Sequence, residues 1–369
     1  MDVPHPLRHP RAKVVVRVNH LSRGDVQMKI TTIGLDLAKQ VFQVHGVDQR
    51  GRMVVSKRLR RAELVSFFVS LPPCLVGMEA CAGAHHWARV LGGLGHNVRL
   101  MPPQFVKPYV KSNKNDARDA EAICEAVTRP SMRFVPIKGT EQQAVLMMHR
   151  VRQLLVRQRT MVANAIRGHL AEFGIVIRQG VKTLPQVLPS LLQEADTNLP
   201  PTARSMLALL SEQLRYFSER VSQVERELLG WHRASEPSRR LEAIGGVGPI
   251  TATAIVASVG DARSFRSARQ FAAWLGLVPA QHSSGGKQRL GSISKRGDTY
   301  LRTLLIHGAR SSLRALQRRP LQQSPWLARL LLRRHPNVVT VAMAHKHARI
   351  IWAMLTSGSG FRPELSAQR

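Results

Sequence analysis

From Ile30 the order of apolar and polar positions follows a strand period. Ile30 to Leu35 is an apolar, β-branched run suited to a central strand. Val41 to Val47 alternates apolar and polar residues, and Asp48-Gln49-Arg50-Gly51 then predicts a turn into Met53 to Ser56. These segments predict three antiparallel strands. Arg61 to Val69 suits a helix, Leu75 to Glu79 a buried strand and Ala84 to Leu94 a second helix. Val98 to Met101 predicts a strand stopped by Pro102-Pro103, and the Ala-, Glu- and Asp-rich stretch from Asp116 to Val127 a third helix. The order β-β-β-α-β-α-β-α defines a mixed α/β domain.

Beyond Thr140 the period changes to that of helices. Met147, Val151, Leu154, Gln158, Met161, Ala165 and Gly168 fall at alternating spacings of four and three, and a tighter repeat runs through Leu207, Leu210, Leu214, Phe217, Val221, Val224 and Leu228. A sustained seam of this kind needs another helix to cover it. Two partners stay open, the other stretch in an antiparallel hairpin or another subunit. Gly180 to Pro201, broken by Pro185, Pro189, Pro200 and Pro201, reads as a linker or tip. Further helices are predicted at Thr251 to Val259, Arg266 to Leu275, Thr299 to Leu316 and about Val338 to Leu355. The boundaries expected are 1–27 as a disordered basic extension, 28–140 as the α/β domain, 141–234 as a helical coiled-coil connector and 235–369 as a mainly α domain. Met28 directly precedes the first strand, so 1–27 reads either as such an extension or as a segment upstream of the true start.

Charge narrows the class of partner. Lys and Arg number 55 against 23 Asp and Glu, a net charge of +32. Residues 1–27 account for +3, which leaves +29 along the folded part. A surface this positive repels itself and attracts polyanions, nucleic acid above all. A membrane surface would call for a basic amphipathic helix with a bulky apolar face or a lipidation motif, and neither is evident. No apolar run reaches the ~20 residues of a membrane span. Cys74, Cys81 and Cys124 show no metal-ligand spacing and read as reduced thiols in a cytosolic protein.

In a chain so poor in acids, four carboxylates stand out. Asp36 and Glu79 close apolar strands, while Asp116 and Asp119 lie at i and i+3 on one helix face. Phosphodiester chemistry uses hard cations with oxygen ligands, and crowded carboxylates repel unless a cation neutralises them. Taken singly, Asp116 reads as a cap, Asp119 as an ion-pair partner and Asp36 as a turn residue. Glu79 at the end of Val76-Gly77-Met78 has no such ordinary role.

With the strand and helix order, these residues describe an RNase H-like domain. Ile33-Gly34-Leu35-Asp36, Gly77-Met78-Glu79-Ala80 and Lys114-Asn115-Asp116-Ala117-Arg118-Asp119-Ala120 resemble the DEDD transposases of insertion-sequence family 110, particularly its 1111-type branch. The resemblance covers nearly all of the chain after Met28. It implies a RuvC-like N-terminal domain with Asp36, Glu79, Asp116 and Asp119 as catalytic tetrad and Mg²⁺ ligands. It also implies a C-terminal serine that links covalently to DNA, an element-encoded guide RNA, and a homo-oligomer, dimer or tetramer, in which one chain's carboxylates meet another's serine.

The C-terminal pattern supplies a matching serine. Gly276 to Lys287 is a polar, glycine-rich loop between predicted helices, carrying Ser283-Ser284-Gly285-Gly286, with Lys287, Arg289, Lys295 and Arg296 near it as phosphate-binding candidates. From the residues alone this is a flexible phosphate-binding loop, because serine is a weak nucleophile unless activated. The resemblance makes Ser283 or Ser284 the nucleophile, and both stay candidates. Gly245-Gly246-Val247-Gly248-Pro249 resembles a helix-hairpin-helix turn, in which Gly246 and Gly248 would allow close approach of a phosphate; a plain interhelical turn is the other reading. His345 and His347, two apart on a helix, diverge and do not share an ion.

The function expected is that of an insertion-sequence transposase or recombinase acting on donor and target DNA. A RuvC-like structure-selective nuclease using water would need the carboxylates alone, and a non-catalytic nucleic-acid-binding protein would need neither carboxylates nor serine.

Overall fold

The computed structural model describes residues 30–111, 115–193, 199–318 and 324–361. The extension read over 1–27 and Lys114 lie outside the described residues. The chain divides after Ile137 into two compact units.

The first unit is built on a five-stranded sheet. Its elements are β1 (Thr32–Leu37), β2 (Val41–Val47), β3 (Met53–Arg60), α1 (Leu64–Val69), β4 (Leu75–Glu79), α2 (Ala84–Gly93), β5 (Asn97–Met101), the single turn α3 (Pro103–Val106) and α4 (Asp116–Val127). The strand order is β3-β2-β1-β4-β5, antiparallel across β3, β2 and β1 and parallel from β1 through β4 to β5. This mixed α/β unit is consistent with an RNase H-like fold. β3 runs four residues beyond its predicted end, because its exposed Lys57-Arg58 stretch has no apolar alternation to reveal it.

Strand alternation sorts the sheet into two faces. Ile33, Leu35, Val76 and Met78 point to one face, where they are buried with Leu64 and Phe68 of α1 and Trp87 and Leu91 of α2. Gly34 and Gly77 point to the other, and there α4 lies on the sheet almost without an intervening side chain. A Cβ on Gly34 would stand 2.0 Å from the Ala120 carbonyl oxygen, and one on Gly77 2.7 Å from Val127 Cβ.

The second unit contains α5 (Thr140–Glu172), α6 (Leu184–Gln193), α7 (Pro201–Ala234), α8 (Glu236–Leu241), α9 (Pro249–Val259), α10 (Ala268–Trp274), the short strands β6 (Pro279–Gln281) and β7 (Leu290–Ile293), α11 (Thr299–Gln317), α12 (Pro325–Arg333) and α13 (Pro336–Ser357). Helices α5 and α7 pack antiparallel, tied by Trp231 Nε1 donating to Glu141 at 2.9 Å and Arg152 Nε to Glu225 at 2.8 Å. The α7 repeat turns inward, with Leu207, Leu214, Val221 and Leu228 buried. The α5 repeat does not. Its buried positions are Val145, His149, Ala163, Ile166 and Leu170, whereas Met147, Leu154 and Met161 are 63%, 56% and 61% exposed. Helix α5 thus carries two apolar stripes, and among the described residues the less regular one is the buried one. The linker expected at 180–201 contains α6, whose Leu184 and Leu188 are buried beside Ile166 and Leu170. Burial of these leucines outweighs the backbone hydrogen bond that Pro189 removes inside the helix.

His149 ties α5 to the helices after it. The Thr253 hydroxyl donates to the Pro249 carbonyl at 2.7 Å, so His149 Nε2 must be the donor in its 3.1 Å bond to Thr253 Oγ1. Nδ1 then accepts from the Tyr300 hydroxyl at 3.0 Å, and the neutral ring is satisfied on both sides. Burial above all, with Arg152 and Arg150 nearby, pushes its pKa down to about 4. The unfolded chain therefore takes up a proton that the native ring refuses. Stability from this group is complete above pH ~6.5 and is lost progressively as pH falls toward 4. His347, also held at about 4 by burial, adds to the same trend. Urea midpoints measured between pH 7 and 4.5 should fall, and His149→Gln should flatten that slope.

Candidate active site

The face occupied by α4 is also the face of Asp36 and Glu79, each two residues beyond a glycine of that face. Asp36 lies near the end of β1, and Glu79 ends β4, the parallel neighbour paired through Leu35 and Met78. Helix α4 starts at Asp116 with Asn115 as its cap, whose Oδ1 accepts from Ala117 N at 2.9 Å and Arg118 N at 3.1 Å. Because the glycines let this helix descend onto the strands, its first turn reaches the end of β1. Carboxylate oxygens of Asp36, Asp116 and Asp119 all lie within 4.8 Å of one another. Asp36 and Asp119 are half-buried and Asp116 is exposed. Glu79 stands outside that triplet. Its field nonetheless converges with that of Asp36, because the Cys81 thiol is pushed up first by burial and then by Glu79 and Asp36.

The donor set is all oxygen, from hard carboxylates beside the positive end of a helix, and it leaves room for water on its exposed side. Such a set fits a hard divalent cation rather than a zinc-like centre of nitrogen and sulfur. Cys81 lies next to these acids, a placement that its sequence reading as a plain reduced thiol misses. The available signal was its position two residues beyond Glu79.

The serine segment, expected as a loop, is a β-hairpin of β6 and β7. Ser284 O accepts from Lys287 N at 3.1 Å, and Gly285 and Gly286 both have positive φ, 57° and 76°. This is the signature of a two-residue type I′ turn, for which Gly-Gly is well suited. His282 N donates to Arg289 O at 2.9 Å one step back. The Ser283 hydroxyl oxygen accepts from Gln281 Nε2 at 3.0 Å and from Arg289 N at 3.2 Å. All residues from Gln281 to Ser292 are exposed, so the hairpin projects into solvent held by its own bonds. Its strands escaped notice because they lack an apolar alternation.

Lys295 and Arg296 are exposed on the turn that leads into α11, which is anchored on the end of α10. Lys295 N donates to Gly276 O at 3.1 Å, and a Cβ on Gly297 would meet Trp274 O at 1.9 Å. Gly246, with φ +89°, makes its close approach to protein, since a Cβ there would lie 2.3 Å from the Gly308 carbonyl oxygen of α11. Gly248 caps α9, and a Cβ on it would meet nothing within 4 Å. The helix-crossing contact accounts for glycine at 246, while the entrance to α9 beside Gly248 stays open. His335 caps α13, and no group of histidines among the described residues forms a metal site.

A mixed sheet with Asp36 near one strand end meeting Asp116 and Asp119 at the N-terminus of a helix is consistent with an enzyme of the RNase H-like class. The family model DEDD_Tnp_IS110, a transposase family, matches residues 33–175, and the model described as "Transposase IS116/IS110/IS902 family" matches residues 238–324. A relative in Pseudomonas aeruginosa, "Probable family 20 transposase", is 55% identical over 91% of this chain and 100% of its own length. The transposase for insertion sequence element IS1111A of Coxiella burnetii is 46% identical over 95% of this chain and 97% of its own, and that for IS1328 of Yersinia enterocolitica 43% over 90% and 98%. The chain belongs to the IS110 family of DEDD insertion-sequence transposases, enzymes of DNA transposition. The DEDD designation implies use of a divalent metal. Among the described residues, no helix is long and apolar enough to cross a membrane.

Proposed function

We propose that the chain cuts and rejoins DNA using Asp36, Glu79, Asp116 and Asp119 as Mg²⁺ ligands and Ser284 as the attacking group. The observation that carries this reading is the meeting of Asp36, Asp116 and Asp119 within 4.8 Å from stretches eighty residues apart. Mg²⁺ bound there would supply Lewis-acid polarisation of the scissile phosphate. Asp36, Asp116 and Asp119 would orient that site, and Glu79 would complete the ligand set from the neighbouring strand end.

Strand pairing supports Ser284 over Ser283. Residues opposite each other in an antiparallel pair share a face, so Ser284 shares one with Lys287, and by alternation with Arg289. Their cations would hold a phosphate beside the Ser284 hydroxyl. Ser283 points to the face of Gln281, and its oxygen already accepts two hydrogen bonds. Attack by Ser284 Oγ on phosphorus would form a serine–phosphate ester, release a sugar hydroxyl and conserve the bond energy for rejoining. Lys295, Arg296 and the backbone at Gly248 would hold flanking phosphates.

Ser284→Ala should abolish the covalent protein–DNA product, Ser283→Ala should retain most of it, and the double variant should have none. The product is seen as a labelled band in denaturing gels. Cleavage that survives in the double variant would return the chain to a water-using nuclease. A guide RNA, implied by the family resemblance, is tested by sequencing nucleic acid that co-purifies with the protein. Element-derived RNA supports guidance, and random cellular RNA reflects charge alone.

The exposed α5 stripe supports assembly of subunits. Met147, Val151, Leu154 and Met161 keep coiled-coil spacing yet are 41% to 63% exposed among the described residues, so a second copy is the partner we propose for them. Met161→Lys should shift sedimentation toward the monomer mass and leave the melting temperature of the monomer nearly unchanged, because the residue is exposed. Unchanged assembly in this variant would remove α5 as the interface.

A further inference from the structure

Beside the serine hairpin, the second unit holds a cavity of about 1240 Å³ bounded by β7, α10, α12 and α13. Trp326 of α12 and Trp352 of α13 stand on its wall, with Phe361 past the end of α13. The Trp352 ring is fixed by its Nε1 donating to the Ala262 carbonyl at 3.1 Å, and the Lys346 ammonium lies 4.8 Å from the Trp326 ring centroid. His345, Lys346 and Arg349 line the same α13 wall, and no Asp or Glu is among the described residues that line it. Arg349 Nε is buried and has no hydrogen-bond partner among the described residues. Arg349 also lines the cavity, which sets its guanidinium charge beside the aromatic wall.

We propose that this groove takes an unpaired base of single-stranded DNA against its aromatic wall, with the adjoining phosphate on Lys346 and Arg349. Aromatic platforms flanked by cations bind single strands in this manner, because every base has a π face and every linkage a charge. A second copy of the chain fits less well, since this cation-lined groove calls for an anionic group and the chain has only 23 Asp and Glu to offer against 55 Lys and Arg. DNA is favoured over RNA because the wall is mostly apolar and offers few acceptors to a 2′-hydroxyl. The groove shares β7 with the hairpin, so a strand end freed at the serine has a place to be held. The proposal rests on the strand-transfer reading only for the origin of that strand.

The test measures binding of a fluorescein-labelled 20-nucleotide single strand and its duplex to the full chain by anisotropy. EDTA is present, so that cleavage does not intervene and failure of the carboxylate reading cannot affect the result. Trp326→Leu and Arg349→Gln should each weaken the single strand about tenfold and the duplex less than about twofold, with Trp326→Phe restoring most of the loss. A strand carrying 5-iodouracil should crosslink to peptides containing Trp326 or Trp352. Equal losses for single strand and duplex, or no loss, overturn the proposal. So do crosslinks confined to other peptides, tighter binding of an RNA of the same sequence, and a change of oligomeric state without a change in single-strand affinity.

Discussion

Asp36→Asn should lower the rate of strand cleavage by about a thousandfold or more, while leaving the fold and DNA binding intact. The side chain keeps its shape and loses its charge, so the change falls on cation binding. Three carboxylates within 4.8 Å of one another repel when no cation is bound. The metal-free variant should therefore melt at the same temperature as the parent or slightly higher. Added Mg²⁺ should raise the melting temperature of the parent by mass action and that of the variant far less. Single-turnover cleavage and melting curves with and without MgCl₂ check the two halves separately. Undiminished cleavage, or equal stabilisation of both proteins by Mg²⁺, would remove the carboxylates from the chemistry and leave a nucleic-acid-binding protein whose acids are incidental.

Replacing Gly34 by valine should be the most destructive single change in the first unit. A Cβ there would lie 2.0 Å from the Ala120 oxygen and 2.4 Å from the Cys124 nitrogen. Both are backbone atoms of α4, which cannot turn aside as a flexible side chain can. The helix must lift from the sheet or the strand must bend, at a cost of about 3 kcal/mol or more. Lifting α4 also carries Asp116 and Asp119 away from Asp36, so stabilisation by Mg²⁺ should disappear along with stability. Gly92 in α2 is the control, since a Cβ there meets nothing within 4 Å. Gly92→Ala should stabilise by roughly 0.5–1 kcal/mol, because alanine loses less backbone entropy in a helix. Denaturant midpoints for the three proteins measure the contrast. A Gly34→Val chain as stable as the parent would show that α4 is not seated on β1 as described.

Much of the first unit was legible in the sequence. β2, β4 and α4 fall at the positions read from alternation and composition, because one face of each strand is buried and the other is not. The four acids were visible as exceptions in a basic chain. The second unit was legible as helix and much less so in its partnerships. The α5 repeat was seen, but its buried face lies two positions away, at Val145, His149, Ala163, Ile166 and Leu170. A helix with two apolar stripes gives no sign in one dimension of which stripe its neighbour takes. Helix α6 was hidden by Pro189, and the serine hairpin by strands whose side chains all face water.

Sequence alone determined the strand and helix periods, the polyanionic class of partner and the identity of the acidic residues, since each follows from local pattern or from summed charge. Tertiary structure decided which acids meet and which stripe of α5 stays open. It also decided that a glycine-rich segment forms a two-residue hairpin turn. The physical reason is the absence of side chains at Gly34 and Gly77: bare backbone lets a helix some eighty residues along the chain settle on the sheet, and that approach carries its first turn to Asp36.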